Sequence, residues 1–302
     1  MDKIVVNNLT KDYGHGRGIY DVSFTVKEGE VFGFLGPNGA GKSTTIRHLM
    51  GFSKPQKGKA AIDKLDCWKK HGQLMKEVGY LPGEVALPDG LNSKGFVHMM
   101  QGLRNGQNQQ LIKELLERFQ LKMTGDVKKL SIGEKRKLAV VAAFMNDPDV
   151  LLLDEPTSGL DPVMQEVFIT FVKEQKEKGK TVLLSSHIFS EVEALCDRIA
   201  IIKEGKIITV VDAEEVKHYK RKTFEVTFQS KEEYDRFQKE PFEFREVNPD
   251  EHMLAMVVED RQTNQFVQAS SGYKITKMVE HQQTLEEYFM HFYKSDRTFG
   301  GI

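Results

Sequence analysis

Gly36-Pro37-Asn38-Gly39-Ala40-Gly41-Lys42-Ser43-Thr44 fits the pattern G-x-x-x-x-G-K-[ST], and its flanks give the pattern physical meaning. Val31-Phe32-Gly33-Phe34-Leu35 runs into it as a strand, and Thr44 to Met50 leaves it as a helix with Gly51 at the C-cap position. Glycines let a loop wrap closely around phosphate oxygens, with successive N–H groups pointing inward. The N-terminus of the following helix adds roughly half a positive charge at the same place. The pattern puts Lys42 on the β and γ phosphates and the Ser43 hydroxyl on Mg²⁺. The segment predicts a site for a nucleoside triphosphate.

Farther along, Val150-Leu151-Leu152-Leu153-Asp154-Glu155 is an apolar run ending in two carboxylates. A buried strand that finishes this way delivers both to the carboxyl edge of a sheet, where α/β proteins bind ligands. There Asp154 is placed to bind Mg²⁺ and Glu155 to orient or deprotonate an attacking water. Leu130-Ser131-Ile132-Gly133-Glu134 opens a helix over Lys135 to Met145. Ser131 and Glu134 satisfy the S-x-x-E capping box, and a capped helix N-terminus is also an anion site, so both readings stand.

Strand-like runs recur at Ile4 to Val6, Ser23 to Val26, Lys59 to Ile62, Thr181 to Ser185, Arg198 to Lys203 and Lys206 to Val210. Between about 84 and 148 the pattern is helical, with Leu111, Leu115, Leu116 and Phe119 on one face. A helix starts at Pro162, with Asp161 as N-cap and Gly179 past its end. After the basic run Lys217-His218-Tyr219-Lys220-Arg221-Lys222 the texture changes. Strands over Thr223 to Phe228, Phe242 to Val247, Met253 to Glu259 and Tyr273 to Glu280 alternate with helices over Lys231 to Lys239 and Gln262 to Ser270. A last helix is expected over Thr284 to Tyr293. This is the β-α-β-β-α-β order of a ferredoxin-like unit.

The 302 residues are enough for one large and one small core. A net charge of −1 gives no global attraction to nucleic acid or to an anionic membrane. Cys67 and Cys196 lie in no metal-ligand spacing and suit a reducing compartment. The longest apolar run, Leu138 to Met145, is far short of the ~18 residues a membrane span needs. Any membrane role therefore calls for a separate partner.

Taken in order, these segments resemble the ATP-binding subunit of ABC transporters over residues 1 to about 215. Leu130 to Glu134 takes the place of the family signature, Ser158-Gly159-Leu160-Asp161 that of the D-loop, and His187 that of the switch histidine. Tyr13 sits where the family stacks an aromatic ring on adenine. The resemblance implies an α/β P-loop NTPase fold of the ABC type, with a β-subdomain and a helical subdomain over about 84–148. Domain boundaries of 1–216 and 217–302 follow, the second being a small α+β accessory domain.

It also implies ATP and Mg²⁺ as cofactors, with Gly36 through Thr44, Tyr13, Ser131, Gly133, Glu134 and Asp161 binding nucleotide. Lys42, Glu155 and His187 become catalytic, and Ser43 and Asp154 hold the metal. The family usually places Gln after the strand Val78 to Leu81; here Pro82 is followed by Gly83, and Glu84 is the candidate substitute as metal ligand. Ile132 and Glu134 also stand where Gly and Gln are usual. The tail segment Thr284 to Phe289 is similar to ATPases of the ABC-2 type, including drug and bacitracin resistance exporters.

The function implied is hydrolysis of ATP to power a separate transmembrane permease, exporting a drug, peptide or lipid-like substrate. The subunit would pair with a second ATPase subunit, a homodimer being the expected form, and sit at the cytoplasmic face of the membrane through the permease. No nucleic acid partner is expected. The alternative is a soluble ABC ATPase of translation or DNA maintenance. Translation factors typically carry two cassettes, and DNA-repair relatives carry a long heptad insertion; one phosphate loop and no such insertion occur here.

Overall fold

The computed structural model describes residues 1–104, 108–123, 125–213 and 221–281. The chain divides into two compact units, Met1–Ala213 and Glu214–Ile302. The expected helix over Thr284 to Tyr293 lies outside the described residues, as do Lys217 to Lys220 of the basic run.

The first unit opens with β1 (Asp2–Asp12), β2 (Gly18–Lys27), β3 (Val31–Leu35), α1 (Lys42–Leu49), β4 (Lys57–Ile62) and β5 (Leu65–Asp66). It continues through α2 (His71–Glu77), β6 (Val78–Leu81), α3 (Ser93–Arg104), α4 (Gln109–Arg118) and α5 (Ile132–Phe144). It closes with β7 (Val150–Asp154), α6 (Pro162–Glu177), β8 (Thr181–Ser186), α7 (Phe189–Leu195), β9 (Arg198–Lys203) and β10 (Lys206–Asp212).

Two sheets result. One is four-stranded and antiparallel, in the order β2-β1-β4-β5; the other is six-stranded, in the order β10-β9-β3-β8-β7-β6. The second is parallel throughout except for β10 at its edge. Every residue of β3, β7 and β8 is buried, as parallel strands covered on both faces must be. Hence Val31 to Leu35 and Val150 to Leu153 read as unbroken apolar runs. Phe24 of β2 stacks on Phe32 at 5.3 Å between ring centroids, joining the two sheets in one core. The register pairs Leu35 with Ser186 and Asp154 with Ser185. The chain leaves β3, β7 and β8 at one edge, and the three expected chemical segments meet there.

β2 starts five residues before the expected Ser23, β5 and α2 were not expected, and two further differences have a local cause. β1 runs over eleven residues rather than Ile4 to Val6. Its buried positions go Ile4, Val6, then Leu9, because the register shifts between Val6 and Leu9 and Asn8 turns to φ 47°. That bulge breaks the period of two. The helical pattern expected from about 84 begins only at Ser93. Pro82, Pro88 and Gly90, at φ 81°, keep the preceding stretch irregular.

The described part of the second unit comprises β11 (Arg221–Phe228), α8 (Lys231–Phe237), β12 (Glu243–Asn248), β13 (Met253–Glu259), α9 (Thr263–Ser270) and β14 (Ile275–His281). All pairings are antiparallel in the order β12-β13-β11-β14, the ferredoxin-like arrangement. Its core joins Val226, Phe228, Leu254, Met256 and Val258 of the strands to Phe237 and Phe266 of the helices.

Candidate active site

The phosphate-loop segment turns from β3 into α1 through Gly41, whose φ of 110° lies in the left-handed region. A Cβ there would also stand 2.7 Å from Ile19 Cγ2, so glycine serves both conformation and space. Gly41 offers no side-chain cap, and the first turn of α1 carries no acidic residue. No capping side chain and no carboxylate of α1's own first turn thus occupies its N–H groups and dipole. Pro37, Asn38 and Gly39 are exposed at the loop's tip, while Gly36, Ala40 and Gly41 anchor it below the surface.

Lys42 is buried, and its ammonium donates to the carbonyls of Gly36 at 2.7 Å and Pro37 at 3.2 Å. It also stands 3.0 Å from Glu155 Oε1. The other carboxylate oxygen of Glu155 accepts from His187 Nδ1 at 2.6 Å, which places the imidazole proton on Nδ1. His187 is 48% exposed, so its second nitrogen faces outward from the pair. Lysine, glutamate and histidine from positions 42, 155 and 187 thus form one contiguous chain of polar groups.

Ser185, buried at the end of β8, organises the two consecutive carboxylates. Its hydroxyl donates to Asp154 Oδ1 at 2.5 Å and accepts the Glu155 N–H at 3.1 Å. The Glu155 N–H also points to the Ser185 carbonyl at 3.1 Å. Glu155 itself sits at φ 48°, unusual for a residue with a side chain and typical of functional turns. Asp154 faces Gly83: a Cβ at that position would lie 3.0 Å from Asp154 Oδ2. The glycine that stands where the family has glutamine leaves this carboxylate oxygen uncovered.

Among the described residues no cluster of three or more His, Cys, Asp or Glu could hold a metal. The Ser43 hydroxyl and the Asp154 carboxylate are hard oxygen donors. That donor set fits Mg²⁺, which takes few protein ligands and completes its shell with phosphate oxygens and water. Glu84 is exposed, one residue beyond Gly83.

Ser131 is the N-cap of α5, and the capping box is complete. Its hydroxyl accepts the Glu134 N–H at 3.2 Å, and its own N–H donates to Glu134 Oε2 at 2.9 Å. The Ser131 N–H, together with the Ser131 hydroxyl donating to Oε2 at 2.8 Å, holds the Glu134 carboxyl below its usual range. Ile132 is 79% exposed at the tip. Gly133 packs on the loop after Glu155, where a Cβ would stand 3.2 Å from the Gly159 carbonyl. Asp161 caps α6 by accepting the Met164 N–H at 3.0 Å, and it does not join the cluster at Lys42. Nor does Tyr13, which is 53% exposed, with its hydroxyl 3.4 Å from Ser53 Oγ and Lys11 over its ring.

Sequence reading missed three members of this region. Ser185 could have been noticed as a hydroxyl closing an apolar strand. Glu191 of α7 is buried, and its carboxylate accepts from Ser186 Oγ at 2.5 Å. Burial pushes its pKa up, against the hydrogen bonds from Ser186 and Thr157. Arg136 of α5 reads as one more cation on a helix, yet it is 4% exposed.

The ABC transporter family matches residues 19–158 of the chain. YhcH of Bacillus subtilis, an uncharacterized ABC transporter ATP-binding protein, is 40% identical over 210 residues, 68% of each chain. BcrA of Bacillus licheniformis, a bacitracin transport ATP-binding protein, is 29% identical over 298 residues, covering 95% of this chain and 96% of the relative. Among solved structures, the dimeric post-hydrolysis state of the ATP-binding cassette MJ0796 bound to ADP and Pi superposes with a TM-score of 0.62 at 25% identity. It covers 70% of this chain and 98% of its own. Sequence, fold and the convergence of Lys42, Asp154, Glu155 and His187 agree, and the chain belongs to the ATP-binding proteins of ABC transporters, as an ABC-type ATPase.

Proposed function

We propose that this ATPase powers a separate membrane permease that exports a drug, peptide or lipid-like compound. The observation that carries the reading is the Glu155 carboxylate held between Lys42 at 3.0 Å and His187 at 2.6 Å, directly after Asp154. Glu155 is placed to take a proton from an attacking water, and His187 to hold that carboxylate and meet the terminal phosphate. Lys42 supplies the positive charge opposite the developing negative charge of the leaving phosphates. Ser43 and Asp154 would hold Mg²⁺, which neutralises phosphate charge when bound. The loop from Gly36 to Thr44 cradles the phosphates, and Tyr13, on the surface, offers its ring to adenine.

Ser131, Gly133 and Glu134 at the exposed tip of α5, with Asp161 two residues beyond the Gly159 on which Gly133 packs, form the surface a second subunit would meet. A head-to-tail homodimer then encloses each nucleotide between one subunit's phosphate loop and the other's α5. Among the described residues no helix is long and apolar enough to cross a membrane, which is in keeping with a permease carried by another chain. The match to a bacitracin transport ATP-binding protein over 95% of this chain favours export. In this reading the subunit works at the cytoplasmic face of the membrane.

Glu155→Gln tests the reading. The variant should hydrolyse ATP at least about 100-fold more slowly and accumulate as an ATP-bound dimer on size-exclusion chromatography. Near-normal turnover removes Glu155 from its role. Captured from detergent-solubilised membranes with ATP and Mg²⁺, the tagged variant should bring down a polytopic membrane protein. Recovery of ribosomes or DNA instead would transfer the chain to the soluble ABC ATPases.

A further inference from the structure

Arg136 lies one turn into α5, behind the Ser131 cap. Neighbours on the same helix, from Leu138 to Phe144, are buried apolar residues. A guanidinium in such surroundings must satisfy its donors to persist. All three of its nitrogens do so on main-chain carbonyls. Nε donates to Ser158 at 2.8 Å, one terminal nitrogen to Pro82 at 2.7 Å, and the other to Gly83 at 2.5 Å. Burial lowers its pKa, while the charges of Asp154 and Glu155 raise it.

The three carbonyls come from two loops that leave neighbouring strands. β6 and β7 are in parallel register, Leu81 opposite Leu153. Pro82 and Gly83 follow the first strand, and Ser158 follows Glu155 beyond the second. Gly83 in turn rests against Asp154, where a Cβ would stand 3.0 Å from Oδ2. One side chain on the helix that begins Ser131-Ile132-Gly133 therefore fixes the backbone beside Asp154 and the loop beyond Glu155. No side chain at position 83 can make that link.

We propose that Arg136 is a positioning residue: it ties the N-terminal turn of α5 to the backbone of Gly83 and Ser158, so that movement of α5 reaches Asp154 and Glu155 through main chain. The assignment rests on the hydrolytic reading given above. In a head-to-tail pair Ser131 and Gly133 serve one nucleotide while Asp154 and Glu155 serve the other. Arg136 then connects the two within a single chain. A fixed fork of donors suits this task in a way a lysine ammonium does not.

The test uses the full chain with Arg136→Gln and Arg136→Lys, following steady-state ATP hydrolysis as Mg²⁺ is varied, alongside thermal melting. Moving the backbone against Asp154 should raise half-saturating Mg²⁺ about tenfold in the Gln variant, the scale of outer-shell effects on metal sites. Lys should rescue it only in part. Binding of a fluorescent ATP analogue without Mg²⁺ should stay within about twofold of wild type. Half-saturating Mg²⁺ unchanged within about twofold in folded Arg136→Gln overturns the proposal, whatever its turnover. If the Gln variant fails to fold, the Lys variant decides by the same measure. Loss of folding in both assigns Arg136 to stability and overturns it as well. Glu155→Gln reports on the hydrolytic reading alone, so the two failures are distinguishable.

Discussion

At the carboxyl edge of the parallel sheet, Lys42, Arg136, Asp154, Ser185 and Glu191 are all buried, whereas the described part of the second unit buries one polar side chain, Ser270. Its core is instead aromatic: Phe237 lies 5.0 Å from Phe228 and 4.8 Å from Tyr273, ring centroid to ring centroid. Burying charge is unfavourable unless every donor and acceptor is matched. The first unit holds its buried charge in a patch at three strand ends, where Lys42 stands 3.0 Å from Glu155, Arg136 donates to main-chain carbonyls, and Asp154 and Glu191 accept from serine hydroxyls. The second has no such patch among its described residues and is built for packing. Among the described residues, buried charge gathers in the first unit, and the core of the second is built from aromatic and aliphatic side chains.

The most forceful way to break that contrast is Phe237→Ala. Removing a fully buried ring at the centre of the aromatic cluster should cost the second unit about 3–5 kcal/mol. Calorimetry should show the unfolding of that unit shifted down while binding of ATP analogues by the first unit stays intact. Equal loss of ATP binding would mean the two units do not divide the labour as described.

A finer test addresses Glu191. Its pKa is raised in the folded protein by burial, so its contribution is fully present below the unfolded value of about 4.3 and is lost as pH rises through the folded value. Glu191→Gln, which cannot ionise, should be the more stable protein at neutral pH. The difference between the two should shrink toward acid, in urea melts at successive pH values. A glutamine variant less stable than wild type at pH 7 would show that the ionised carboxylate is what holds Ser186.

The smallest effect concerns the thiols. Burial pushes Cys67 up to about 12 and Cys196 well above the usual range. Neither should react with iodoacetamide at pH 8 in the native state, and both should react in urea. Rapid native labelling of Cys196, which packs against Gly33 of β3, would reveal an opening of α7 from the sheet.

The contrast also explains what was legible beforehand. Segments whose chemistry is local could be read directly: the phosphate loop, the Asp161 and Ser131 caps, and the apolar strand Met253 to Glu259, found with those bounds. The order of elements in the aromatic unit is legible because short β-rich runs and helix starts alternate along the chain, even though its strands carry register shifts. Reading failed where the determinant is remote. Arg136 is buried because carbonyls more than twenty and more than fifty positions away receive it. A cation on a helix carries no such signal. β1 was cut short because a bulge at Asn8 resets the period, and the stretch before Ser93 was read as helix because apolar content hid its proline and glycine breaks. The meeting of Lys42, Glu155 and His187 was inferred from motif order and depends on the order of strands β3, β8 and β7 in the sheet.

The pairing of β11 with β14 carries a mechanical consequence. Thr223, near the start of one strand, faces His281, at the end of the other. A pull applied between these two ends would meet the hydrogen bonds of the ladder one at a time, because antiparallel bonds lie perpendicular to the strands. The ladder would unzip under modest load, where opposed ends would shear all its bonds together. The pairing of β11 with β14 is thus a soft seam of the second unit's sheet when loaded at these ends.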